Sequence, residues 1–195
     1  MIEHILNYKK CIPNEYKKTV FDIDYNKLFE LGKRVIFFDI DNTLISYKDL
    51  SITKEALELI RKLENIGFEI MLVSNNKPKR VKKIASECNL KYNAYSLKPL
   101  KLAFRRARRK LSKKYNWDQI VEIGDQLLTD VYGSKGLNIY TILVKPIDNK
   151  NEVWTTRFNR KREKKIIEKI RKKDIDSYNN IILLYERDKN EGNNM

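Results

Sequence analysis

Apolar positions along this chain follow two alternating periods. Continuous runs at 34–39, 68–73, 94–97, 120–123 and 139–144 read as strands buried on both faces. Between them the spacing changes to i, i+3, i+4, i+7. Ala56, Leu59, Ile60 and Leu63 predict a helix over 54–66 closed by Gly67, and Val81, Ile84, Ala85 and Cys88 predict another opening at Pro78. Leu100, Ala103, Phe104, Ala107 and Leu111 form the apolar face of a third helix whose other face is Lys and Arg, and 127–135 reads as a short fourth. The order βαβαβαβαβ predicts an α/β fold: a mostly parallel, five-stranded, Rossmann-like sheet with helices on both faces.

Four regions follow from where this pattern starts and stops. Residues 1–19 read as a polar amino-terminal arm, 20–147 as the α/β domain, 148–173 as a linker and basic helix, and 174–195 as a tail whose last ten residues are expected to be disordered. Within the basic helix, Trp154 and Phe158 stand one turn apart; they could insert at a membrane interface, and the favoured reading is that they staple the helix to the body. The short apolar stretch 181–185 could pack back in the same way.

Charge sharpens the picture. There are 41 Lys and Arg against 26 Asp and Glu, a formal net charge of +15. Residues 98–114 hold nine of the bases and no acid, and 155–173 hold ten against Glu163 and Glu168, so segments of +9 and +8 leave −2 for the rest of the chain. Such surfaces attract polyanions, nucleic acid or anionic lipid, and steer phosphorylated substrates; two solvated helix faces would give the same pattern. Cys11 and Cys88 lack a CxxC partner and His4 is the single histidine, which excludes a Cys/His zinc site and any Ser-His-Asp or Cys-His centre. Catalytic proton transfer must then fall to carboxylates, Lys or Tyr. No apolar run approaches the roughly 20 residues that span a bilayer, and the first eleven residues read as neither signal nor transit peptide, so a cytoplasmic protein is expected.

The candidate chemistry begins at Asp39-Ile40-Asp41-Asn42-Thr43. A buried run delivers two carboxylates, spaced i and i+2, into a turn at the carboxyl edge where open α/β sheets bind ligands. Like charges so close need a cation, a shared proton or both. By itself the segment is also compatible with a surface Asp-x-Asp turn. Three more strand ends carry suitable groups, however: Ser74 and Asn75 after the second, Lys98 after the third, and Asp125 with Asp130 after the fourth.

With these four motifs the chain resembles the haloacid dehalogenase superfamily, subfamily IIIA, over roughly residues 30–145. The resemblance implies Asp39 as nucleophile and Asp41 as general acid and then base. Thr43 would support the turn and, with Ser74 and Asn75, make up the phosphate-binding group, while Lys98 would neutralise both nucleophile and phosphate. Asp125 would hold Mg²⁺ together with Asp39 and the Asp41 carbonyl, and Asp130 would order the metal's surroundings. A closer resemblance, to the YqeG family of phosphatases, covers about residues 12–165 and adds Thr156-Arg157-Phe158-Asn159-Arg160. Some relatives look like phosphatidylglycerophosphate phosphatases of phosphatidylglycerol synthesis.

The resemblance thus implies a Mg²⁺-dependent phosphomonoesterase acting on a phosphorylated substrate, with a lipid head group as the leading choice. An anionic membrane is then a partner, and the protein would sit peripherally at the membrane's inner face. The alternatives are a nucleotide or polynucleotide-end phosphatase, and a non-catalytic module that binds RNA or the ribosome. The sequence sets no oligomeric state. Only 29 residues lie between Thr43 and Val73, and 75–98 leave room for little beyond one helix and one strand, so no large cap domain is expected.

Overall fold

In the computed structural model, which describes residues 7–148 and 154–191, the apolar runs assemble into one sheet. It has six strands: β1 (Glu15–Lys17), β2 (Val35–Phe38), β3 (Glu69–Val73), β4 (Lys91–Asn93), β5 (Ile120–Gly124) and β6 (Tyr140–Val144). Their spatial order is β1-β6-β5-β2-β3-β4, and every pair is parallel. The expected α/β class holds. The sixth strand comes from the segment read as an amino-terminal arm, where Glu15-Tyr16-Lys17 pairs with Ile142, Leu143 and Val144. Three residues of mixed polarity carry no period that sequence could register.

Period-2 alternation sorts the central strand between two layers. Ile36 and Phe38 join the core under α1 (Tyr25–Glu30), α2 (Lys54–Ile66) and α3 (Pro78–Cys88), whereas Val35 and Phe37 join Ala103, Phe104 and Ala107 of α4 (Lys101–Arg109). Local chemistry sets the helix ends. Thr53 accepts from the Ala56 amide to open α2, and Gly67, at φ 108°, closes it in a left-handed conformation that other residues rarely adopt.

The third strand lies at Lys91–Asn93, not at 94–97. Tyr95 and Leu97 take φ of 42° and 65°, which breaks the extended backbone, and both side chains are exposed. Leu100, expected in the core, caps the start of α4 and is 56% exposed, because the chain enters that helix from the solvent side.

After β5, Leu127–Tyr132 winds as a π-helix and runs on into Gly133–Lys135; this segment is α5. Helix α6 (Trp154–Lys173) occupies the expected span. The region read as a tail then folds as a helical segment over 175–191, here α7. Ile166, Ile167 and Ile170 pack with Ile182 and Tyr185 against Leu127, Leu128, Val131, Leu143 and Cys11. The expected packing of 181–185 is therefore met, and residues 186–191 are helical with Asp188 buried, contrary to the expected disorder. Tyr16 explains why, since its hydroxyl donates to Asp188 and its ring meets Tyr185 edge-on. Phe158 does not staple α6 to the body; it is 57% exposed under the Arg162 guanidinium. Residues 1–6 of the arm, 149–153 of the linker and 192–195 of the tail lie outside the described residues, as does the Trp154 side chain. Among the described residues no helix is long and apolar enough to cross a membrane.

Ile182 is fully buried between α6 and the sheet. Ile182→Ala is expected to lower the unfolding free energy by about 2–5 kcal/mol in urea titrations. A loss of only a few tenths would show that α7 is not part of the cooperative core.

Candidate active site

Parallel strands bring their carboxyl ends to one edge, and the four motifs meet there. The turn after β2 is built on the Ile40 carbonyl, which accepts from the amides of Thr43, Leu44 and Ile45 at 3.1–3.3 Å. Asn42 closes it with φ 65°, a left-handed conformation that Asn tolerates, and its amide donates to Ile45 O at 2.7 Å. Asp39 is tied to β5 through its own amide, 3.0 Å from Ile123 O. Both carboxylates consequently emerge beside the cavity, while Thr43 is buried in the turn and does not line it.

Lys98 is the hub. Its ammonium lies 2.7 Å from Asp130, 2.8 Å from Asp39 and 3.4 Å from Glu122, with the side chain almost wholly buried. Asn75 holds the loop that delivers it. The Asn75 amide nitrogen donates to Lys98 O at 2.9 Å, and its oxygen accepts from Lys98 N and Ser96 Oγ, each at 2.8 Å. Asn75, expected on phosphate, therefore spends its side chain chiefly on placing Lys98. Ser74 lines the cavity, its hydroxyl oxygen accepting from the Asn76 amide at 3.1 Å. Asp130 is fixed by the Gln126 amide at 3.0 Å, and a Cβ at Gly124 would collide with its carboxylate, so only glycine fits there.

Asp41 and Asp125 each meet an arginine that sequence reasoning missed. Arg80, on α3, places Nε 2.9 Å and Nη2 2.8 Å from Asp41 Oδ1. It also donates to the Asp49 and Ser46 carbonyls, tying the following loop to the same guanidinium. Asn76 donates to the other Asp41 oxygen at 3.0 Å. Arg160, on α6, pairs with the Asp125 carboxylate, and its Nη1 donates to Asp125 O at 2.7 Å, Tyr185 Oη at 3.0 Å and Glu163 at 3.2 Å. Arg160 stands in the 156–160 segment that carried the closer resemblance, and that was its one signal. Glu122 had a signal too, a charged residue inside an otherwise apolar run. Arg80 had none.

Electrostatics follow from this crowding. Burial pushes Asp39 well above the ordinary aspartate range; Lys98 pulls against that, while Asp130, Asp125 and Asp41 add to it. Burial works against the charge on Lys98, but Asp130, Asp39 and Glu122 outweigh it and raise its pKa, so the ammonium stays protonated. Burial raises Glu122 well above the usual carboxylate value; Lys98 pulls against that, while Asp130 and Asp39 add to it. Thiol chemistry has no footing: burial pushes Cys11 up to about 12 and Cys88 to about 11.

The cavity over this cluster holds about 370 Å³. Asp39, Asp41, Asn42, Ser74, Asn75, Asn76 and Lys98 line it with Gln126 and Thr129, and so do Tyr47, Lys77, Tyr95, Thr156 and Asn159. Asp125 and Asp130 do not line it.

Comparison with known proteins gives the family. A family profile described as "haloacid dehalogenase-like hydrolase" matches residues 36–194. The chain is 35% identical over 165 residues to the Bacillus subtilis protein named "Probable phosphatase YqeG", covering 85% of this chain and 94% of that one. Among solved structures, the magnesium-bound HAD-hydrolase YfnB from Bacillus subtilis superposes with a TM-score of 0.50 at 14% identity, over 63% of this chain and 91% of its own. That last likeness is one of fold.

The raised pKa of Glu122 gives a signed expectation. The folded state binds this proton more tightly than the unfolded chain, so as pH rises past about 4.5 ionisation of Glu122 costs stability. Glu122→Gln removes that cost. In urea titrations at pH 5 and pH 8 the variant should gain on the wild type at the higher pH; a pH-independent difference would contradict the assignment.

Proposed function

Because the chain belongs to the haloacid dehalogenase-like hydrolases, in the YqeG family, and is a phosphatase of that type, we propose that it hydrolyses a phosphomonoester through a phosphorylated Asp39, with phosphatidylglycerophosphate as substrate. The observation that carries the chemical part is the buried Asp39–Lys98 pair, 2.8 Å apart, opening onto a cavity with a second carboxylate above it.

Phosphoryl transfer asks chiefly for in-line placement and charge neutralisation. Lys98 would meet one Asp39 oxygen and oppose the effect of burial on that carboxylate, leaving the other oxygen to attack phosphorus. As the new P–O bond forms, the bond to the leaving alkoxide breaks and Asp41 gives that oxygen its proton. Asp41 then takes a proton from water, which attacks the same phosphorus and returns Asp39 with inorganic phosphate. Asn76 and Arg80 would orient Asp41, and Ser74 would donate to a phosphoryl oxygen.

The donors also suit Mg²⁺. They would be hard oxygens from Asp39, Asp125 and the Asp41 carbonyl, where burial, with Asp130, Asp125 and Asp41, works against the negative charge on Asp39 and Lys98 works for it. Mg²⁺ keeps several waters and binds through one or two carboxylates, which such a set would supply. When bound, it would neutralise charge on the phosphoryl oxygens.

The lipid reading rests on the rim. Leu50, Tyr95, Leu97, Leu100, Ile147 and Phe158 are large, apolar and exposed. All lie on segments that border the cavity. Tyr95 lines it, Leu97 and Leu100 flank the Lys98 loop, and Phe158 sits between Thr156 and Asn159; Ile147 donates to Asn42 O, and Leu50 follows the Asp49 carbonyl held by Arg80. An open site ringed by apolar side chains is suited to a substrate presented at a bilayer surface.

The test offers purified protein and Mg²⁺ three substrates: phosphatidylglycerophosphate in mixed micelles, nucleoside monophosphates, and 5′-phosphorylated oligonucleotides. Selective release from the lipid is expected; release confined to the oligonucleotide would replace the lipid reading. EDTA should abolish turnover and Mg²⁺ restore it. Asp41→Asn should lower kcat by about 10²–10⁴ and Lys98→Ala by about 10²–10³, with Lys113→Ala close to wild type. Equal, small losses at Lys98 and Lys113 would remove Lys98 from the reaction.

A further inference from the structure

A second concave site holds about 500 Å³. It is lined by Arg105, Arg108, Arg109, Lys113 and Lys114, with Trp117 and Leu111. Helix α4 starts beside the Lys98 loop at the carboxyl edge and runs back along the sheet, so its last turns sit at the amino edge. Trp117 belongs to the short turn that enters β5 there, next to the Gln119 carbonyl that accepts from Arg34 just before β2. The cluster therefore cannot serve a substrate bound at Asp39.

Its cations are uncommitted. Among the described residues none of the five forms an ion pair, whereas Arg80, Lys98 and Arg160 are each locked to carboxylates. Among the described residues no acid lines the cavity. Two of the five lie instead on aromatic rings: the Arg108 guanidinium is 4.4 Å from the Trp117 ring centre, and the Lys113 ammonium is 5.3 Å from that of Tyr115. Mutual repulsion of five positive charges around one hollow is relieved most fully by a polyanion that enters it.

We propose that this groove binds single-stranded nucleic acid, the cations tracking backbone phosphates and the Arg108–Trp117 pair offering a flat surface for a base. Grooves that combine a positive track with aromatic or guanidinium planes are the common device for unpaired strands. A bilayer fits less well. Membrane-surface binding needs apolar side chains to insert, and in this groove Leu111 is buried and Trp117 half-buried, while Leu50, Tyr95, Leu97, Leu100, Ile147 and Phe158 stand exposed around the other cavity. A lipid surface docked there leaves this groove facing solvent.

The test uses the full-length protein and a fluorescein-labelled single-stranded RNA without terminal phosphate, which is not a substrate. Affinity should fall about 100-fold between 50 and 200 mM KCl, the response to about five contacted phosphates. Arg105→Ala/Arg109→Ala/Lys114→Ala should bind at least about 10-fold more weakly and lower the slope of log K against log salt by about 2. Its turnover of p-nitrophenyl phosphate should match wild type, which reports an intact fold. In Trp154→Phe protein, where Trp117 is the one remaining indole, the RNA should quench fluorescence. The proposal fails if RNA does not bind at 50 mM KCl, or if the triple variant binds RNA with unchanged affinity and slope. It also fails if the triple change abolishes capture by phosphatidylglycerol vesicles or polyglutamate while leaving RNA binding intact.

Discussion

The structure turns on one buried ammonium. Lys98 lies within 3.4 Å of three carboxylates contributed by the end of β2, the interior of β5 and the start of α5. Removing one partner of a buried ion pair leaves an uncompensated charge and costs about 3–5 kcal/mol. The same pairing suits a phosphoryl-transfer site, since Lys98 opposes the effect of burial on the Asp39 carboxylate. Stability and reactivity thus draw on the same contact, and the loop that carries Lys98 is fixed accordingly by Asn75 and Ser96.

Around that hub the molecule is asymmetric. Behind Asp125, the carboxy-terminal helices supply Arg160, Glu163 and Tyr185 as a buried hydrogen-bonded set, so α6 and α7 are part of the site's support rather than appendages. In front, among the described residues, no domain covers the mouth. The chain between β2 and β3 is used up by a loop and α2, and that between β3 and the Lys98 loop by α3 and β4. Recognition then falls to the rim, where apolar side chains stand exposed.

Much of this was legible because it is local. Asp39 and Asp41 sit two apart at the end of an apolar run, and a parallel sheet brings every such strand end to one edge, so Ser74, Lys98 and Asp125 could be assigned to the same place without coordinates. What sequence missed depends on partners far apart in the chain: Arg80 meets Asp41 across 39 positions, and Arg160 meets Asp125 across 35. Helical spacing correctly buried Phe104 and Ala107 but not Leu100, because periodicity says which residues share a face and not where the chain first touches the core. The edge strand β1 and the last helices escaped for the opposite reason, since polar sequences were recruited by neighbours already in place.

The central claim is that Asp39 itself carries the phosphoryl group, and it is open to direct chemical inspection. Protein quenched in acid during turnover and reduced with borohydride should contain homoserine at position 39, detected by peptide mass spectrometry, only when substrate and Mg²⁺ were both present. Reduction product at another carboxylate, or none at position 39 under conditions of full turnover, would contradict the account.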